Sequence, residues 1–255
     1  MTNVSPRVPR GRPNGQKAIP MREHAHDHAS IQRRLADGPS LSYLRDFIYG
    51  GIDGAVTTFA LVAGVVGAEL SVKTILILGV ANLVADGFSM AASNFAGTRT
   101  EHDERASLEA FERKQVRTIP ESEREEVRQI LIGKGFTGSA LAQALEAYTE
   151  SEDRWVEFML QEEYGLPSTL REPWPAALAT LAAFILCGAV PLAPYVLGLG
   201  NPFLLASVFT GLTFFAIGSA KAKWSEQAWW RLGLETFLIG GIAALMAYLV
   251  GLMLA

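Results

Sequence analysis

The sequence predicts an all-α membrane protein with five transmembrane helices per protomer and a helical domain inserted between helices 2 and 3. Three observations carry this. Apolar segments long enough to cross a bilayer stand at about 47–68, 73–97, 175–197, 202–222 and 233–254. A polar stretch from about 98 to 172 separates the second from the third, and residues 100–163 hold 16 Asp/Glu against 8 Lys/Arg. Alternating β-branched runs, the mark of strands, are absent.

The composition agrees. Only 19% of the 255 residues are charged, 49% are hydrophobic and the mean hydropathy is +0.21, too apolar for an ordinary soluble or disordered chain. A single cysteine, Cys187, excludes an internal disulfide and a thiolate metal cluster. A net charge of −4 gives no case for nucleic acid.

Taken in order, residues 1–40 carry seven Lys/Arg and three of the four histidines with little apolar periodicity, which reads as a disordered basic arm. It has no apolar core of a secretory signal. His24, His26 and His28 with Asp27 are a weak metal-binding candidate beside the reading of a solvated tail. Residues 41–97 form the first two spans, 98–172 the acidic domain and 173–255 the last three spans. In the acidic domain, helices are expected at 98–117, continuing span two, then 120–133, 137–148 and 150–164. Pro120 suits a first helical turn and Gly165 an end.

Basic residues set the orientation. Arg33, Arg34 and Arg45 precede span one, Arg99 follows span two, Arg171 precedes span three, and Lys221, Lys223 and Arg231 lie between spans four and five. The other two connections offer only Lys73. The N-terminus and the acidic domain are therefore expected in the cytoplasm.

Ionisable residues inside the spans point to function. An acid near the bilayer centre costs at least about 2.5–3.5 kcal/mol on insertion scales, so it belongs at a polar interior or an ion path. Asp53 lies inside span one, and Asp46, seven positions earlier, shares its face. In span two Asn82, Asp86 and Met90 form one i, i+4, i+8 stripe. Carboxylate, amide and thioether groups suit ferrous or manganous ions better than zinc or copper, and carboxylates can exchange a proton for the metal. The competing readings are an Asp53 that caps a helix broken at Gly50, Gly51 and Gly54, and a Met90 that fills core space.

The acidic domain offers a second constellation. Glu109 with Glu112, Glu123 with Glu126, and Met159 with Glu163 each share a helical face, and Glu162 completes the candidate set. Paired glutamates from several helices build divalent metal sites in helical bundles. The alternative is a solvated acidic face with ion pairs to Arg113, Arg124 or Arg128. Glu235 could line a pathway mouth or pair with Arg231. No nucleotide-binding loop or nucleophile elbow appears, which favours transport without ATP over enzymatic hydrolysis.

Three segments resemble the vacuolar iron transporter family, including its bacterial and nodulin-like members. They are Leu44-Arg-Asp-Phe-Ile-Tyr-Gly-Gly-Ile-Asp-Gly-Ala-Val-Thr-Thr58, Ala85-Asp-Gly-Phe-Ser-Met-Ala-Ala92 and Trp155-Val-Glu-Phe-Met-Leu-Gln-Glu-Glu163. The resemblance covers about 41–255 and leaves out the arm. It implies a two-fold dimer of five-helix protomers, a pathway between subunits and a cytosolic domain that gathers metal. It further implies export of Fe²⁺ or Mn²⁺ as substrate, in exchange for protons and without a tightly bound cofactor. By motif position Asp46, Asp53 and Met90 match pathway residues, and Glu112, Glu123, Glu126, Met159 and Glu163 match ligands. Two departures stand out: Asn82 and Gln115 occupy places where members carry glutamate, and Asp86 could supply the charge missing at Asn82. Leu160 stands where methionine can occur.

Two rival functions are a membrane-anchored ferroxidase or iron store, which the missing Glu-x-x-His pattern disfavours, and a passive cation channel. A bacterial inner membrane is the expected location, with a vacuolar membrane the eukaryotic counterpart.

Overall fold

The computed structural model describes residues 27–37 and 41–254, and every regular element among them is helical. The first, α1 (His28–Asp37), falls in the segment read as a disordered arm. Asp27 starts it, accepting the Ser30 amide on its carboxylate at 3.1 Å, and good helix formers such as Gln32, Arg33 and Leu35 continue it. The rest of the arm, with His24 and His26, lies outside the described residues.

The remaining helices are α2 (Leu44–Gly67), α3 (Val72–Thr118), α4 (Pro120–Gly133), α5 (Gly138–Thr149), α6 (Glu152–Glu162), α7 (Pro173–Gly188), α8 (Ala193–Val196), α9 (Pro202–Ala220) and α10 (Trp229–Leu254). The helices α2, α3, α9 and α10 are long and apolar enough to cross a membrane. The third predicted span differs. Its apolar run breaks after Gly188, so α7 has 16 residues and α8 four, separated by a turn that contains Pro191. Pro191 and Pro194 lack the amide hydrogens that a continuous helix would need.

Helix α2 is central, packed on α7, α10, α3 and α9. Small residues allow this: a Cβ on Gly50 or Gly54 would collide with the carbonyl oxygens of Thr180 and Phe184 on α7. The core beside them gathers Phe59, Val62, Val65, Ile75, Leu192, Tyr195, Ala206 and Ala244. On α10, Leu238, Ile242, Leu245, Leu249 and Met253 stay exposed, as a lipid-facing surface requires.

Helix α3 runs unbroken for 47 residues, about 70 Å at the α-helical rise. Its distal half leaves the apolar helices and packs with α4 and α6, against which α5 lies in turn. Those four share a separate core of Val116, Val127, Leu131, Leu145, Trp155, Val156, Phe158, Met159 and Leu160. Gly165, at φ 68°, lets the chain turn away after α6.

Candidate metal sites in the helical insert and between the apolar helices

In the insert, two glutamates sit where an apolar core would be expected. Glu112 on α3 and Glu123 on α4 are 2% and 3% exposed, one helical turn before the core residues Val116 and Val127. Glu112 accepts the Tyr164 hydroxyl at 2.8 Å through Oε1. Its Oε2 and that of Glu123 have no hydrogen-bond partner among the described residues. Each such buried polar atom costs about 1–3 kcal/mol, so the fold retains a strain that a cation would relieve.

Charge follows geometry. Burial pushes the Glu123 carboxyl up to about 7, helped by the charges of Glu126, Glu112 and Glu163. Burial also raises Glu112, with Glu126 adding to it and the Tyr164 hydrogen bond opposing it. Glu163, at the exposed rim, is raised by partial burial and then by Glu112 and Glu126. These four carboxylates form one electrostatic group, and no cationic side chain pairs with any of them among the described residues. Met159, fully buried, lies one turn before Glu163 on α6. No three His, Cys, Asp or Glu groups among the described residues converge as a finished coordination shell.

The other acids of the insert behave differently. Arg113 binds Glu109 at 2.8 Å and Asp153 at 2.6 Å. Glu162 pairs with Lys134 at 2.6 Å. Arg124 and Arg128, the alternative partners for Glu123 and Glu126, hold Glu146 and Glu125 instead. Sequence spacing thus groups Glu109 and Glu162 with the metal candidates, whereas the structure ties both to surface cations.

Between the apolar helices, Asp53 on α2 and Asp86 on α3 are half-buried and close enough for their charges to interact. Neither forms an ion pair among the described residues. Asn82, one turn from Asp86, donates its amide to Thr57 Oγ1 at 3.5 Å, and Thr57 donates to the Asp53 carbonyl at 2.9 Å. Met90 is half-buried on the same stripe. Asp46 stands apart from this group. At 2% exposure in the first turn of α2, it receives Arg171 Nη1 at 2.6 Å and Asn94 Nδ2 at 3.1 Å.

Two of these partners escape a reading limited to acids. Asn94 and Thr98 simply extend the series Asn82, Asp86, Met90 by two more turns, a signal present in the spacing. Arg171 lies 125 residues from Asp46, and no local pattern links them. At the far end, Arg231 stacks over Trp230, and no ion pair joins it to Glu235 among the described residues.

Comparison with known proteins matches residues 44–252 to the VIT family. The vacuolar iron transporter of Toxoplasma gondii is 33% identical over 227 residues, which cover 84% of this chain and 75% of the relative. Vacuolar iron transporter 1 of Eucalyptus grandis is 30% identical over 229 residues, covering 86% and 92%. The protein of the same name from Arabidopsis thaliana is 30% identical over 208 residues, covering 80% and 83%. With its apolar helices and its matches running the length of the α2–α10 unit, the chain belongs to the VIT family.

Proposed function

We propose that this multi-pass membrane protein is a secondary transporter that moves Fe²⁺ or Mn²⁺ out of the cytosol in exchange for protons. The observation that carries the proposal is the facing pair Asp53 and Asp86, two acids on membrane-length helices with no basic partner among the described residues. Such a pair is costly in lipid unless a dication or protons balance it. Its relatives are named vacuolar iron transporters, which agrees with a metal as the cargo.

In this reading α7 with α8 completes a fifth crossing, the insert lies in the cytosol, and two protomers form a dimer. Glu112, Glu123, Glu126 and Glu163, with Met159, gather the ion from the cytosol. It then passes to Met90, Asp86 and Asp53, with Asn82 lining the path. Protons entering from the far side neutralise the aspartates and release the metal there.

Proteoliposomes loaded with a metal-sensitive dye test this directly. Fe²⁺ or Mn²⁺ uptake should require an inside-acid pH gradient and should collapse in Asp53→Ala. Uptake at the wild-type rate in that variant refutes the role of Asp53. Flux that persists after the gradient is dissipated identifies a channel instead.

A further inference from the structure

Where α2, α3 and α7 meet, oxygen atoms crowd around a few shared donors, with the Thr180 hydroxyl donating to the Ala176 carbonyl at 3.1 Å. Asn94 Nδ2 lies 3.1 Å from Asp46 Oδ1, 3.1 Å from the Ala176 carbonyl and 2.7 Å from Thr180 Oγ1. One amide nitrogen has two hydrogens for these three acceptors. Asp46 Oδ2, also buried, has no hydrogen-bond partner among the described residues. Carboxylate, hydroxyl and carbonyl oxygens are the ligand types of a hard dication. Here nitrogen groups stand among them instead, the amide of Asn94 and the guanidinium of Arg171 at 2.6 Å.

Arg171 has somewhere else to go. Its Nη2 is already 3.8 Å from Glu101, whose side chain is 49% exposed. Its backbone is fixed at the exit of the insert, since its carbonyl accepts from His102 Nε2 at 2.9 Å and the next amide, of Glu172, donates to Tyr43 at 3.3 Å. The guanidinium can therefore move while the chain that carries it stays in place.

We infer that Asp46, Thr180 and the Ala176 carbonyl form a latent cation seat, and that Arg171 is its tethered occupant, stepping to Glu101 when a divalent ion takes the carboxylate. The inference rests on the metal-transport reading and adds a charge filter to it. A monovalent ion brings Asp46 no more charge than the guanidinium already does, and it forfeits a charged hydrogen bond. A dication doubles the attraction at the same distance. The seat thus opens to divalent ions and stays shut to sodium and potassium.

Mn²⁺ bound to the purified full-length protein can be counted by the loss of its free-ion paramagnetic resonance signal. At Mn²⁺ concentrations low enough that the guanidinium still holds the wild-type seat, Arg171→Gln should bind one more Mn²⁺ per chain than wild type, Arg171→Lys the wild-type number, and Arg171→Gln with Asp46→Asn should lose the gain. An unchanged count in a folded Arg171→Gln protein overturns the inference and leaves an ordinary structural ion pair. Should that variant not fold, Glu101→Gln keeps the Asp46 pair and removes only the second position. Mn²⁺ uptake into proteoliposomes should then fall severalfold at an unchanged metal count, and uptake at the wild-type rate overturns the inference. The two readings fail separately, because Asp53→Ala tests the pathway without touching the count at Asp46.

Discussion

The insert and the apolar helices both bury carboxylates, and they balance them in opposite ways. At the α2–α3–α7 junction Asp46 has a dedicated arginine, so its charge is neutralised by the protein itself. In the insert, six basic side chains pair with peripheral acids, and among the described residues Glu112 and Glu123 have no cationic partner. A fold that merely needed stability would have used those bases on the buried pair, since an unpaired buried charge is among the costliest features a core can hold. In the proposed reading, the difference separates a site held closed by its own counter-ion from one held open for a foreign one.

The comparison can be broken at several points, in order of expected effect. Asp53→Ala should reduce transport by about 100-fold, beyond the 10–100-fold that loss of an outer-shell partner costs a metal site. Metal binding at the glutamate group of the insert, measured calorimetrically on the solubilised protein, should stay at the wild-type affinity. Glu123→Ala combined with Glu126→Ala should do the reverse, weakening metal binding by roughly 10–100-fold. Unchanged binding would mean that these glutamates only solvate the domain. Gly54→Ala, which forces a methyl against the Phe184 carbonyl, should destabilise the α2–α7 contact by about 1–3 kcal/mol and lower the melting temperature.

Acidity supplies a subtler test. The folded-state pKa of Glu123, about 7, lies above its ordinary value of 4.5, so the fold holds a proton that the unfolded chain releases. The stability this contributes is complete below about 4.5 and is lost as pH rises through 7. Metal-free protein should consequently melt lower at pH 8 than at pH 5, and Mn²⁺ should reverse the loss. Glu123→Gln should flatten the profile; a profile as steep as wild type would assign it to other groups. The smallest effect belongs to Glu109→Gln and Glu162→Gln, which remove surface ion pairs. Each should change stability by no more than about 0.5 kcal/mol and leave metal affinity alone.

What periodicity can encode, the sequence made legible. The helix α4 spans the expected 120–133, span two continues into the insert as one helix, and Asn82, Asp86 and Met90 share one stripe facing inward. These depend on spacing along one element. What escaped depends on contacts between distant segments. Spacing alone offers Glu109 and Glu112 as equals, and only the packed bundle reveals that Arg113 takes the first while the second points at the core. The pairing of Asp46 with Arg171 is invisible for the same reason. The break after Gly188 was signalled by Pro191 and Pro194, but hydropathy, which weighs proline mildly, carried the expected span across them.

The continuity of α3 as a single helix carries a mechanical implication. Asp86 and Glu112 ride on it 26 residues apart, about 39 Å along the axis, so no single ion can bridge them. In the proposed transport, cargo must be released by one station before the other receives it. The shaft nevertheless has no joint between the two stations, and twist applied at one end arrives at the other. In that reading, clenching of the glutamate bundle around an ion would turn Asp86 relative to Asp53, so that loading of the insert and exposure of the buried acids become two ends of one crankshaft.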